Sequence, residues 1–221
     1  MRAHSLQFDE GYSIGEEIAH SITHGVGALL SIAGLVILVT LSATYGDAWD
    51  IVSSCIYGFT LILLYSSSTL YHSITKPDMK ILLQKIDHAM IYMLIAGTYT
   101  PFTLVSLRGA WGWSLFALVW SIAVAGMVME LAVKNRRKWI SISLYLWLGW
   151  VIVIATKPLM SSVETGGLVL LLLGGLAYSF GVIFYAWKRL AYHHAIWHVF
   201  VMAGSALHFF AIMFYVIPNH A

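Results

Sequence analysis

Apolar residues do not alternate along this chain; they come in long runs. Seven stretches of about 20 residues can be read: 21–42, 51–73, 87–107, 112–133, 139–157, 167–187 and 194–217. Short polar connections such as ATYGDAWD, LRGAW and KNRRK separate them. At 1.5 Å per residue, a helix of ~20 residues crosses a hydrocarbon layer of ~30 Å. The pattern therefore predicts an all-α, polytopic membrane protein, a seven-transmembrane helix bundle. Residues 21–217 form its single domain, with a short N-terminal segment 1–20 and a tail 218–221.

Composition strengthens the membrane reading. The chain is 60% hydrophobic and 10% charged, whereas soluble domains are roughly 45–50% apolar and about 25% charged. The first 20 residues lack the basic, apolar and cleavage regions of a signal peptide, so the first apolar run is expected to stay in the protein. The lone cysteine, Cys55, rules out an intramolecular disulfide and is expected to be a small core residue.

Charge gives the runs a direction. With the N-terminus inside, Arg2, Lys76, Lys80, Lys85, Lys134, Arg136, Arg137, Lys138, Lys188 and Arg189 fall on the cytoplasmic face. Arg108 and Lys157 alone fall outside. The positive-inside rule thus predicts a cytoplasmic N-terminus and an outer C-terminus. Trp111, Trp113 and Trp139 lie at span ends, as an interfacial belt requires. Gly167, Gly174 and Gly181 recur every seven residues and predict a close-packing face. The expected partners are membrane lipids, and no nucleic acid.

Ionisable side chains at membrane depth are expensive and usually functional. Here they gather at the cytoplasmic ends: Glu16, Glu17, His20 and His24 before and into span one, His72 ending span two, Asp87 and His88 opening span three, and His194 and His198 opening span seven. His194 and His198 are four apart, hence on one helical face, a spacing shared with zinc motifs. His72 would supply a third nitrogen, and three protein ligands leave the open position of a catalytic zinc. Asp87 would ligate the ion or hold its water as base. Ser68, one turn from His72, would hydrogen-bond a ligand, the water or an oxyanion. His20 and His24 form a rival pair at the same spacing, weakened if His20 precedes the span and is solvated. Glu17 and His24, seven apart, share a face.

Plainer roles suit the other polar groups. His193 and Tyr192 are expected at the interface. His88 is expected to pair with Asp87 or a lipid phosphate. His208, about 15 Å deeper than His198, is expected to be a hydrogen-bonded bundle residue. Glu130 is expected to snorkel as a counter-ion to KNRRK.

The stretches EEIAHSITHG, SSSTLYHS, KIDHAMIYMLIAGTYTPF and HHAIWHVFVMAGSALHFF together resemble bacterial hemolysin III-like proteins. These form the prokaryotic branch of the progestin and adipoQ receptor family, within the seven-span membrane hydrolases that include alkaline ceramidases. The resemblance covers nearly the whole chain and is closest to enterobacterial inner-membrane proteins. It implies zinc on His72, His194 and His198, with Asp87 reaching the metal through water and Ser68 beside it. It matches the family's early Glu and His to Glu17 and His24, demoting the 20/24 pair, and its later His-Phe to His208 and Phe209. Two departures stand out. The receptors have Asn where this chain has His20, and the residue after their Asp is usually not histidine, unlike His88. The receptors' larger N-terminal region is also absent from this sequence.

The resulting expectation is a bacterial inner-membrane zinc hydrolase, a ceramidase-like amidase. It would cleave an amide in a lipid drawn from the cytoplasmic leaflet and so act in lipid homeostasis. The alternative is a non-enzymatic cytolysin or pore, or a factor of membrane fluidity and energetics, with zinc as a structural clip. A pore needs a polar stripe across the whole bilayer, whereas this sequence concentrates polarity at one end.

Overall fold

The computed structural model describes residues 11–133 and 137–217. Arg2, Lys134, Arg136 and the tail 218–221 lie outside the described residues, as does the first half of the 1–20 segment. Among the described residues there are helices and no strands. They are α1 (Ile14–Tyr45), α2 (Ala48–Ser73), α3 (Pro77–Pro101), α4 (Ala110–Ala132), α5 (Lys138–Trp150), α6 (Thr156–Ser162), α7 (Thr165–Ala186) and α8 (His193–Tyr215). A π-turn, Phe102–Ser106, extends α3, and a 3₁₀ segment, Val151–Ala155, joins α5 to α6. Among the described residues, seven helical spans are long and apolar enough to cross a membrane, as the hydrophobic runs predict.

Two boundaries differ from the hydrophobic pattern for the same reason. Span one begins at Ile14, because Ser13 and Glu16 form a reciprocal capping box that satisfies orphan N–H groups. Span three begins at Pro77, where proline's fixed φ suits the first helical turn. Both extensions are polar, so apolar runs alone miss them. The break in span five sits just before Pro158, whose missing N–H ends the regular ladder. Tyr99 Oη fills that gap, donating toward the carbonyls of Leu148 and Gly149 and accepting from the Ile152 amide at 2.8 Å.

The helices close into a ring. α1 packs on α2 and α8, α2 on α3, α3 on α4, and α7 on α8, while α5 touches α3, α4 and α7 more lightly. Polar side chains join the ring internally. Tyr65 Oη donates to Ser205 Oγ at 2.7 Å, Tyr178 Oη lies 2.7 Å from the same oxygen, and Tyr57 Oη donates to the Ser205 carbonyl. Cys55 is exposed on the outside of α2 rather than in the core. Facing the surroundings costs a thiol little when those surroundings are apolar.

The glycine face of α7 packs as its spacing predicts. A Cβ at Gly167 would sit 2.8 Å from that of Tyr215, one at Gly181 2.9 Å from that of Phe200, and one at Gly174 would fall on the His208 ring. His208 cannot easily yield, since its Nε2 lies 3.1 Å from the Leu171 carbonyl. Gly174→Leu is therefore expected to cost about 1–3 kcal/mol of stability. Thermal unfolding in detergent measures it, and an unchanged midpoint would contradict this packing.

Candidate metal centre

Four helix ends meet at one end of the ring: the starts of α1, α3 and α8 and the finish of α2. α8 is held in register from its first residue. Tyr192, immediately before it, adopts a left-handed backbone (φ 56°), a conformation disfavoured for residues with a Cβ. Its amide donates to Glu16 Oε1 at 3.1 Å, tying the turn to the cap of α1. That junction sets where the following histidines enter the bundle.

His72, His194 and His198 come together here. Each offers a ring nitrogen within 4.8 Å of the others, and all three are buried. The ring centroids of His194 and His198 are 4.6 Å apart, and His72 is 5.1 and 5.3 Å from them. A tetrahedral ion with bonds of about 2.0–2.1 Å needs nitrogens about 3.4 Å apart, so a small contraction accommodates it. Glu17, His20 and His72 form a second such group. The cluster can hold a metal ion.

The hydrogen bonds around the rings favour that role. His72 Nδ1 lies 2.7 Å from Glu17 Oε2, and a carboxylate only accepts, so Nδ1 carries the proton and Nε2 keeps its lone pair. The other carboxylate oxygen accepts from Lys80 Nζ at 2.7 Å. Thr23 Oγ1 lies 2.8 and 2.9 Å from the Ala19 and His20 carbonyls and 3.1 Å from His198 Nδ1. Its single proton goes to a carbonyl, so it accepts from Nδ1 and leaves His198 Nε2 available. Neither His72 Nε2, His198 Nε2 nor either His194 nitrogen has a hydrogen-bond partner among the described residues. A buried polar atom left unsatisfied costs about 1–3 kcal/mol, and an ion shared by all three would remove that cost. Outer hydrogen bonds that fix the tautomer are typical of histidine metal sites.

Asp87 and Ser68 are both buried; Asp87 shares a cavity lining with His24, and Ser68 stands one turn before His72 on α2. The Ser68 hydroxyl is buried without a hydrogen-bond partner among the described residues. Asp87 belongs to neither metal-binding group, which suits a carboxylate acting across a water better than a direct ligand. His24 stacks on His198, centroids 3.4 Å apart and planes 10° from parallel. It buttresses the face of that ring and is as buried as the three histidines.

Two spaces flank the cluster. His24 and Asp87 line one end of an apolar cavity of about 140 Å³ between α3, α5, α7 and α8. Thr98, Tyr99, Gly149, Trp150, Gly175 and His208 also line it and lead into a further apolar space of about 350 Å³. On the other side, Glu17, His72 and Lys80 line, together with Ile14, Ile18 and Ile22, an open cleft of about 710 Å³.

The remaining polar residues divide. His208 is a hydrogen-bonded bundle residue, as expected, although it also lines the cavity. His193 is buried rather than interfacial, its Nδ1 3.1 Å from the Phe184 carbonyl, while Tyr192 is exposed. The α7–α8 turn folds it inward. His88 turns from Asp87 toward Glu130, its Nδ1 4.0 Å from Oε2, because neighbours in a helix point about 100° apart. Glu130 does not snorkel: it is 2% exposed and accepts from Tyr145 Oη at 2.9 Å. His20 is not solvated either, being fully buried, because α1 starts a full turn and more before it. Thr23 had no signal in the sequence, and Lys80 and Glu16 stood out only as charges at the cytoplasmic end, since their roles depend on which helix end lies opposite.

Comparison with known proteins agrees with this architecture. The Haemolysin-III related family matches residues 12–209. The chain is 52% identical over 206 residues to the "Hemolysin-3 homolog" of Bacillus subtilis (strain 168), covering 93% of this chain and 97% of that protein. It is 46% identical to "Hemolysin-3" of Bacillus cereus, covering 93% and 94%. It is 28% identical over 207 residues to the human "Monocyte to macrophage differentiation factor", covering 91% and 84%.

If Glu17 and Thr23 set the tautomers, Glu17→Gln and Thr23→Val should each weaken zinc binding by about ten- to a hundredfold. Competition with a chromogenic chelator on detergent-purified protein measures this. Wild-type affinity in both would remove them from the site.

Proposed function

The chain belongs to the Haemolysin-III related family of multi-pass membrane proteins, and we propose that it is a zinc-dependent hydrolase of an amide bond in a membrane lipid. The observation that carries this reading is the position of the histidine cluster. Its His72 edge lines an open cleft, while His24, stacked on His198, and Asp87 line an apolar cavity. His72, His194 and His198 would hold the ion. Bound there, zinc would supply Lewis acidity, polarising a carbonyl and making water more acidic.

The chain's own groups do the rest. The apolar cavity takes an acyl chain, excludes bulk water and brings the carbonyl beside Asp87 and Ser68. Asp87 takes the proton of the attacking water and passes it to the leaving nitrogen. Ser68 donates a hydrogen bond to the oxyanion as it develops. The cleft beside His72, with Glu17 and Lys80 in its lining, admits water and the ion. With the N-terminus in the cytoplasm, as the charge distribution predicts, the site opens to the cytoplasmic leaflet of a bacterial inner membrane, and turnover alters lipid composition there. A cytolytic pore would need polar lining throughout, whereas the space beyond His24 and Asp87 is apolar.

Asp87→Asn should retain one equivalent of zinc yet lose amidase turnover by about 10²–10⁴-fold. Metal analysis together with lipid profiling of cells carrying wild type or variant checks both. An unchanged lipid profile with metal intact would make the ion a structural clip between α2 and α8. Loss of the ion from the His194→Ala/His198→Ala variant is expected, and its retention would sink the site itself.

A further inference from the structure

The apolar space that begins at Asp87 carries an unmet polar atom where its two parts join. His208 lines both the cavity of about 140 Å³ and the space of about 350 Å³ beyond it. The residue is 7% exposed, and its Nδ1 has no hydrogen-bond partner among the described residues. Its Nε2 lies 3.1 Å from the Leu171 carbonyl. A carbonyl only accepts, so the proton is on Nε2 and Nδ1 is a bare acceptor. A Cβ at Gly174 would fall on Nε2 and Cδ2, so that edge of the ring faces α7 and Nδ1 lies on the opposite edge.

Apart from His24 and Asp87 at the other end, the polar side chains that share this lining are engaged. Thr98 Oγ1 donates to the Leu94 carbonyl, and Tyr99 Oη bonds the backbone of the span-five break. Trp150 Nε1 donates to Ser179 Oγ, which donates to the Gly175 carbonyl. Tyr178 Oη lies 2.7 Å from Ser205 Oγ, and Tyr145 Oη donates to Glu130. Water is a poor partner for Nδ1, because a buried water needs about 2–4 polar partners. A hydroxyl delivered on an apolar chain needs only the one.

We propose that His208 is a specificity-determining residue for the lipid, its Nδ1 accepting a hydrogen bond from a hydroxyl carried partway along an acyl chain. The inference rests on the reading of this space as the acyl site and names the kind of chain it takes. His208 lies about 15 Å beyond His198 along α8. The hydroxyl therefore belongs near the middle of a long chain, not beside the carbonyl. An apolar pocket alone separates a chain from its hydroxylated analogue only weakly, whereas a buried acceptor penalises the chain that leaves it unpaired.

Displacement of a fluorescent fatty acid from the full-length protein in detergent tests this, with stearate, 12-hydroxystearate and 2-hydroxystearate as competitors. The wild type is expected to bind 12-hydroxystearate about tenfold more tightly than stearate, and 2-hydroxystearate no better than stearate. His208→Phe, which fills the space without an acceptor, is expected to bind all three alike, at the wild-type affinity for stearate. Retained stearate binding shows that the variant is folded. His208→Asn, which keeps an acceptor near the position of Nδ1, is expected to keep part of the preference. Equal binding of stearate and 12-hydroxystearate by the wild type, a preference for 2-hydroxystearate, or a preference that survives in His208→Phe would overturn the role of His208 and leave the acyl site standing. A folded wild type that binds none of the three would remove the acyl site and this inference together.

Discussion

Everything at the polar end of this bundle follows from burying His20, His24, His72, His194 and His198 in one small volume of an otherwise apolar protein. An imidazole has a donor and an acceptor edge, and each must be met or carried at a cost. The fold meets one edge of His72 with Glu17 and one edge of His198 with Thr23. It leaves the opposite edges turned to one another. Unsatisfied nitrogens from separate helices, collected at one point, are what a cation would bind.

α1 is the helix on which this arrangement depends. Its cap engages the backbone before α8 through Glu16, its first turns carry Glu17 and His20, and the next turn carries Thr23 and His24. Glu17 alone reaches α2 through His72 and α3 through Lys80. Much of α1 beyond these turns shows large apolar side chains to its surroundings. The helix thus combines a lipid-compatible outer face with a polar inner edge confined to one end. Polar contacts fix its azimuth there, and glycine fixes its closeness elsewhere. Gly27 lies against the Tyr65 ring, and Gly34 against Phe209.

The loosest part of the ring is equally informative. α5 packs lightly and is interrupted by the 3₁₀ segment before Pro158. Its neighbours α3 and α7 therefore do not close on it fully, and an apolar space runs from Asp87 to His208. Tight packing at α1, α2 and α8 holds the histidines in place, while loose packing at α5 leaves that apolar space open.

Seven hydrophobic runs of bilayer length determined seven helical spans, because span length is set by hydrocarbon thickness and needs no tertiary partner. Helical spacing put His194 and His198 on one face, and the collection of ionisable groups at matching helix ends pointed to a shared site. Periodicity could not choose between that pair and His20/His24, and the likeness to a known family made the choice. Only the tertiary structure decided that His20 is buried among the other histidines, that Glu130 is internal, that His193 turns inward and that Cys55 faces out. Each of these depends on the rotation of a helix about its own axis and on which helix end lies opposite. Those quantities are fixed by packing between distant segments, such as Glu16 with Tyr192 and Thr23 with His198, to which local hydrophobic pattern is blind.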